Sequence, residues 1–379
     1  MPPDPFLPSY SSLSVALRQT LWLLGFGEGA TDVEPEALAS FVRHHGIAGL
    51  LSASRVASCS EAQQGALVKQ QQQLIVRALQ LSATLRGLLT ELAAHQMHPL
   101  VLKGPALALQ AHGTLAARGG VDLDLLLDEA QWPQALQVLA QLGYAPAANQ
   151  VLPLPVGTHE LVLRHARRAP PVELHRRLLR RRYRFAPKGT VQLDLQGIPM
   201  HCLDPTHALP YLVIHANQHS FRRLIWLLDI HALLKHPAFD PTRAARLFVE
   251  IGAGGALDTC LGLLSLLFGH DAAPALQSVR RPCTASRTLT RIALNGIEQS
   301  LSDDQVAQRY GILHRVMLDI ALQDHLPGRW QALCDWLSPT ATDIRWLKLP
   351  RGLTFLYPPL RLMRLSRRLP QDADKRRKA

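Results

Sequence analysis

The hydrophobic period changes at Met97, and that change limits the folds open to this chain. From Leu13 to about His95 the apolar residues recur at helical spacing, and Leu67, Leu74, Leu81, Leu85, Leu88, Leu89 and Leu92 fall on one face. At Met97 the run HPLVLKG reads instead as a short buried strand that ends at Gly104 and leads into a helix. VDLDLLL follows, alternating over its first four residues, as a second strand. Helical period then resumes far downstream. Such a chain must set a small mixed sheet between helical regions, an α+β arrangement.

The middle of the chain carries more strand signals. Trp132 to Leu142 is an amphipathic helix stopped by Gly143, with Pro146 just beyond. Glu160 to Ala166 and Pro171 to Leu178 are extended and separated by Arg167, Arg168, Ala169 and Pro170, which predicts an antiparallel pair. Val191 to Leu195 is a further short strand. The helical reading runs from Pro205 to about Leu337, with interruptions at Pro237 to Pro241, Gly252 to Gly255 and Pro274. The expected division is therefore an N-terminal helical region (1–95), a core (96–200), a C-terminal helical region (201–346) and a basic amphipathic tail (347–379). At 379 residues the chain is long for one core, since about 150 residues is usual per domain. With 47% apolar and 18% charged residues it is globular, and its Leu and Ala content favours helix.

A net charge of +12 predicts attraction to polyanions: nucleotides, nucleic acid or an anionic membrane. Much of it is local, in Arg164 to Arg184 and in Arg361 to Lys378. The five cysteines, Cys59, Cys202, Cys260, Cys283 and Cys334, are scattered without CxxC spacing, which points to a reducing compartment and to small buried side chains rather than metal ligands. MPPDPFLPSYSSL lacks the basic and apolar regions of a secretory signal, and Leu261 to Phe268 is too short to span a bilayer. The expectation is a soluble, cytoplasmic protein, peripheral to the inner membrane if the basic tail lies on anionic lipid.

The most informative run is Arg118, Gly119, Gly120, Val121, Asp122, Leu123, Asp124. Strand residues two apart share a face, so Asp122 and Asp124 project together while Leu123 and Leu125 enter the core. Adjacent carboxylates repel, and a hard divalent cation such as Mg²⁺ or Mn²⁺, with a substrate phosphate completing its shell, relieves that repulsion. In phosphoryl chemistry two such ions about 3.5–4 Å apart serve the attacking and leaving oxygens. DxD alone is also what a solvent-facing strand end looks like, so its neighbours carry weight. Upstream, Lys103 and Gly104 end a strand before a helix, where backbone N–H groups and an ammonium can hold a triphosphate; the plainer reading is a simple turn. Downstream, Glu173 and His175 share a face of a strand that fits beside the first pair, making Glu173 a third carboxylate or a base; its alternative is an exposed glutamate paired with an arginine.

Taken in order, LVLKGPALAL, RGGVDLDLLL, the helix ending QLGYAP, and VELHRRL resemble the uncharacterised nucleotidyltransferase family of the polymerase β superfamily. The resemblance is strongest to nucleotidyltransferases found with bacterial exopolysaccharide and exosortase systems. Lys103, Gly104, Arg118, Asp122, Asp124, Glu173 and His175 fall on matching positions, and LVIHANQHSFRRLIWLLDIHALL resembles the family's helical segment, with His215, His219, Trp226 and Asp229 in place. It covers Leu50 to Leu234 well and the rest loosely. Gly104 is followed by Pro105, where the wider superfamily has a second small residue, so one N–H of the phosphate turn is missing. Proline also suits a first helical turn.

The resemblance implies transfer of a nucleoside monophosphate from an NTP to an acceptor, with pyrophosphate leaving. It implies Asp122, Asp124 and Glu173 as Mg²⁺ (or Mn²⁺) ligands, Lys103, Gly104 and Arg118 on the nucleotide, and His175, His215, His219 and Asp229 towards the acceptor. Arg118 bracing the carboxylates is the alternative. The acceptor is left open among sugar, protein and RNA. A toxin-like tRNA nucleotidyltransferase is the rival enzyme, and a non-catalytic binding module that kept the fold is the rival of another class. His215 and His219, four apart, also suit a zinc pair, against lining of the cleft or surface placement. The arginine block suits a triphosphate or a polyanionic acceptor, against a solvated basic face. No G-x-S-x-G elbow, P-loop or dinucleotide fingerprint occurs.

Overall fold

Helix α4 (Glu61–Ala94) sets the frame on which the rest is assembled. It starts at a capping box in which Ser60 Oγ accepts the Gln63 N–H and Gln63 Oε1 accepts the Ser60 N–H, both at 3.4 Å. Its 34 residues extend over about 50 Å. All seven leucines of the expected apolar face are buried. Leu67 and Leu74 belong to the apolar cluster of the helical layers, whereas Leu81, Leu85, Leu88, Leu89 and Leu92 belong to the cluster beneath the sheet. One helix thus joins both cores, and each fully buried leucine contributes about 1.5–3 kcal/mol. The computed structural model describes residues 8–363 apart from 30–32, 149, 151–153, 155–158, 168, 181, 184, 187 and 362.

Before α4 come α1 (Val15–Leu23), α2 (Pro35–His45) and the short α3 (Ala53–Ala57). After it the chain builds β1 (Leu100–Val101), α5 (Pro105–His112), β2 (Leu123–Leu126), α6 (Trp132–Gln141), β3 (Tyr144–Pro146), β4 (Glu160–His165), β5 (Val172–His175), β6 (Thr190–Leu195) and β7 (Ile198–Leu203). These strands form one seven-stranded mixed sheet in the order β3-β4-β5-β2-β1-β7-β6. The expected antiparallel pair is β4 with β5, Glu160 facing His175. The β5 strand in turn lies parallel to β2, with Asp124 opposite Glu173.

Two strands differ from the expectation. The residues after Gly143, read as the end of a helix, form the edge strand β3, whose three residues are too few to show alternation. The strand β7 returns from β6 through Gln196 and Gly197, both at positive φ (54° and 88°), and pairs with β1 in parallel. Such a two-residue turn favours a hairpin, but Pro199 argues against a strand in sequence because it removes a ladder donor.

Beyond the sheet run α7 (Pro205–Gln218), α8 (Leu224–Leu234), α9 (Pro241–Ile251), α10 (Gly254–Phe268), α11 (Pro274–Ser278), α12 (Thr284–Glu298), α13 (Asp303–Tyr310), α14 (Ile312–Ala321), α15 (Leu326–Leu337) and α16 (Ala341–Trp346). Each expected interruption falls at a helix junction, with Pro241, Gly254 and Pro274 opening α9, α10 and α11. The chain also breaks after α7, where Ser220 and Phe221 sit at φ 56° and 49°, so His219 caps that helix instead of continuing it. Leu17, Leu21, Leu38 and Phe41 share one core with Ile214 and Phe248, so helices from both ends of the chain pack together. Cys202 and Cys260 are buried, and all five thiols are free. Among the described residues no helix is long and apolar enough to cross a membrane. Of the basic tail, Arg361 is tied to Trp336 O at 2.7 Å and Asp343 Oδ2 at 2.6 Å. Arg364, Arg367, Arg368 and the remainder lie outside the described residues.

One polar link crosses this shared core. His45 at the end of α2 is fully buried; its Nε2 donates to Ile297 O at 3.1 Å and its Nδ1 accepts the Leu224 N–H at 3.2 Å. Burial first, then nearby cations, pushes the imidazole well below its usual range, so it stays neutral. His44 and His231, lowered by burial to about 4, act in the same direction. Below about pH 6.5 the unfolded imidazole binds a proton that the native one refuses, so stability is full above that pH and falls beneath it, by up to about 1.4 kcal/mol per pH unit for His45. Urea unfolding should therefore show a lower midpoint at about pH 5.5 than at about pH 7.5. His45→Leu should lose about 1–3 kcal/mol at the higher pH, through the orphaned Leu224 N–H and Ile297 carbonyl, and show a shallower acid slope. An unchanged slope contradicts this assignment.

Candidate active site

Pairing of β1 with β2 delivers the first elements of the site. Leu102 N–H donates to Asp124 O at 3.1 Å, and the next residue, Lys103, sets its Nζ 3.0 Å from Asp124 Oδ1. On the other side of β2, the register with β5 brings His175 Nε2 to 3.2 Å from the same oxygen and 3.8 Å from Glu173 Oε2. Leu123 and Leu125 are buried beneath, as the alternation requires. Asp122 lies just ahead of β2 and is partly exposed.

The charges are strongly coupled. Burial disfavours the Asp124 carboxylate, yet the Lys103 ammonium and the hydrogen bond from His175 hold it well below the usual range. Burial likewise opposes the charge on Lys103, and Asp124 outweighs it, so Lys103 stays protonated. Burial also opposes His175, but its bonds to Asp124 and Glu173 raise it to about 9. Asp122 has no such partner. Burial and then the Asp124 charge raise it to about 6, with Lys103 pulling the other way.

Gly104 begins the turn into α5 at φ 62°, a conformation that glycine adopts without strain, and Pro105 opens the helix. The loop before Asp122 lies against α4: a Cβ on Gly120 would approach Leu81 Cδ1 to 3.2 Å. Arg118 donates through Nε to Asp229 Oδ2 at 2.8 Å, and His112 Nε2 lies 2.9 Å from Asp229 Oδ1. Asp229, on α8, is buried and lines neither of the clefts described next; it fixes Arg118 at a cleft wall.

Two clefts meet at Asp122. One, of about 410 Å³, holds Lys103, Gly104, Arg118, Arg222, Arg223 and Trp226. The other, of about 280 Å³, holds Glu173, His175, His159, Glu160, Arg180 and Tyr211. Lys103, Asp122, His215 and His219 line both. His215 and His219 have ring centroids 4.9 Å apart, and each meets the Trp226 ring, at 5.6 and 5.3 Å. His219 Nδ1 lies 3.1 Å from Asp303 Oδ2, and Arg222 grips both Asp303 oxygens at 2.7 Å. Arg223 differs from its neighbours. It makes no ion pair with a described residue, and its Nε is buried without a hydrogen bond. The sequence reading singled out neither Arg222 nor Arg223, although an arginine doublet inside an apolar helical run was the available signal. Glu160 was legible too, once β4 is paired with β5.

Asp122, Asp124 and Glu173 carry the acidic character of the site, oxygen donors of the kind a hard cation takes. All three are carboxylates; Lys103 and His175 both contact a single oxygen of Asp124, and Asp122 is raised by burial first and then by its acidic neighbours Asp124 and Glu173. Asp124, Glu173 and His175 each offer a ligand atom within 4.8 Å of the others. Asp122 belongs to neither potential metal cluster among the described residues; the second such cluster is His159, Glu160 and His175. Among the described residues His215 and His219 join no potential metal cluster.

No curated protein and no solved structure matches this chain. The model of one family, described as uncharacterised nucleotidyltransferase, matches residues 31–269, a span that holds α4, the whole sheet and Asp122, Asp124, Glu160 and Glu173. The chain belongs to the uncharacterised nucleotidyltransferase family and is accordingly a transferase of nucleotidyl groups.

Proposed function

We propose that the protein is a divalent-metal-dependent nucleotidyltransferase that binds an NTP in the larger cleft and an acceptor hydroxyl in the smaller one. The observation that carries this reading is the in-register pairing of Asp124 with Glu173, with Asp122 shared between the two clefts. Lys103, Gly104 and Arg118 take the phosphates, and Arg223, the unpaired guanidinium on the same wall, takes them too. Trp226 and His219 give an aromatic lining to that cleft. Mg²⁺ or Mn²⁺, held by Asp122, Asp124 and Glu173, would supply charge stabilisation for the phosphates and the leaving group.

Glu173 accepts the proton of the acceptor hydroxyl as that oxygen bonds to the α-phosphorus. The bond from the α-phosphorus to the bridging oxygen breaks, and pyrophosphate leaves with the electron pair. His175, protonated and bonded to Asp124, orients the carboxylates, and His215 and His219 line the acceptor path. The pathway reading, a part in exopolysaccharide synthesis, rests on the sequence resemblance, which leaves the acceptor open.

A second reading concerns location. Trp330, ahead of the basic tail, and Phe355, within it, are 67% and 69% exposed, a combination that suits an anionic membrane surface. Co-sedimentation with phosphatidylserine vesicles should be lost when residues 364–379 are removed; binding that persists without them contradicts this.

Asp122→Asn should lower label transfer from NTP to acceptors in cell extract by about 100-fold or more. Its thermal midpoint should stay level or rise, because repulsion with Asp124 is removed. A non-catalytic module would instead show no transfer in the wild type and unchanged partner binding in the variant. Arg223→Met should weaken NTP affinity by about 10-fold or more without lowering stability, since no ion pair is lost. Unchanged affinity in calorimetry removes Arg223 from the phosphate site.

A further inference from the structure

The arginine block beside Glu173 is less available than its sequence suggests. Arg176 pairs with Glu129 at 2.9 Å, and Arg182 lies 3.4 Å from Asp319 and 3.8 Å from Asp335. Arg315, across the neighbouring cavity, is held by the carbonyls of Asn217 and Gln218 and by Asp319. Arg164 and Arg167 project into solvent from β4 and its turn. Arg181 and Arg184 lie outside the described residues.

Arg180 is the exception. It is half-buried and makes no side-chain hydrogen bond or ion pair with any described residue, and it lines the Glu173 cleft. It also lines a third cavity of about 320 Å³, together with Gln218, His219, Tyr310, Leu318 and Trp336. Arg180, Gln218 and His219 are common to both spaces. Arg180 feels Asp319, Asp335 and Glu160 only at longer range, so its guanidinium, at the border between a carboxylate-lined pocket and a more apolar one, is placed to receive an anion.

We propose that the acceptor is a small hydroxyl compound carrying one phosphate group, its phosphate held by Arg180 while its hydroxyl faces Glu173. This rests on the nucleotidyltransferase reading above and names the acceptor class for the same site. A polynucleotide fits less well, because strand binding needs a row of free cations along a groove. Among the described residues the cleft wall offers one, in a pocket of small-molecule size. The reaction balances as before: the hydroxyl proton passes to Glu173, the oxygen bonds to the α-phosphorus and pyrophosphate departs. The phosphate of the acceptor stays intact and serves only for recognition.

Calorimetry on the full chain separates the two proposals. The protein is first titrated with a non-hydrolysable α,β-methylene NTP and Mg²⁺; failure to bind at this step defeats the nucleotidyltransferase reading itself. The loaded protein is then titrated with glycerol 3-phosphate, with glycerol, and with a short oligoribonucleotide. Glycerol 3-phosphate should bind and glycerol should not. Arg180→Met should weaken the phosphate compound by about 10-fold or more and Arg180→Lys by less, while NTP affinity in both stays within about 2-fold of wild type, which also shows that they fold. The proposal is overturned if the loaded wild type ignores glycerol 3-phosphate, if Arg180→Met binds it equally well, or if the oligoribonucleotide binds more tightly in an Arg180-dependent way.

Discussion

The ion pair between Lys103 and Asp124, 3.0 Å long and almost wholly buried, is the constraint around which the site is organised. Its two residues belong to adjacent strand ends, so the pair forms only when β1 and β2 are in register. Breaking such a pair leaves an uncompensated buried charge at a cost of about 3–5 kcal/mol. That cost pins the Lys103–Gly104 turn against Asp122, and with it the start of α5. The parallel strand β5 then adds Glu173 and His175 on the opposite flank.

A simple allocation of charge follows. Acids outside the carboxylate cluster each hold a specific cation: buried Asp229 holds Arg118, exposed Asp303 holds Arg222, and buried Asp319 holds Arg182. These arginines act as fixed walls. Arg223 and Arg180 have no such partner among the described residues, and they stand on the two sides of Asp122, one in each cleft. An excess of carboxylate lies between them. A site with that distribution attracts a cation to its centre and anions to both flanks, which is the charge pattern of phosphoryl transfer between two substrates.

Much of this was legible in the sequence. The leucine face of α4, the Asp122–Asp124 pair over a buried Leu123 and Leu125, and the β4–β5 pair each have a strong local period, and local period is what sequence reveals. The adjacency of β2 and β5 was read from alternation and from the family resemblance, although some 50 residues separate them. Strand β3 was not legible because its three residues show no period, and β7 because Pro199 weakens a run that pairing with β6 rescues. The helix break at Ser220 and Phe221 escaped notice because neither residue favours positive φ. That break turns the chain so that Arg222 and Arg223 enter the cleft. Which arginines are free was also hidden, since it depends on partners such as Asp303 and Asp319 that are distant in sequence.

The most direct test is anomalous scattering from crystals grown with Mn²⁺ and a non-hydrolysable NTP. The account predicts manganese bound by Asp122 with Asp124 or Glu173, touching nucleotide phosphates in the cleft that contains Arg223. Manganese elsewhere, or a nucleotide bound with no metal at these carboxylates, would contradict it.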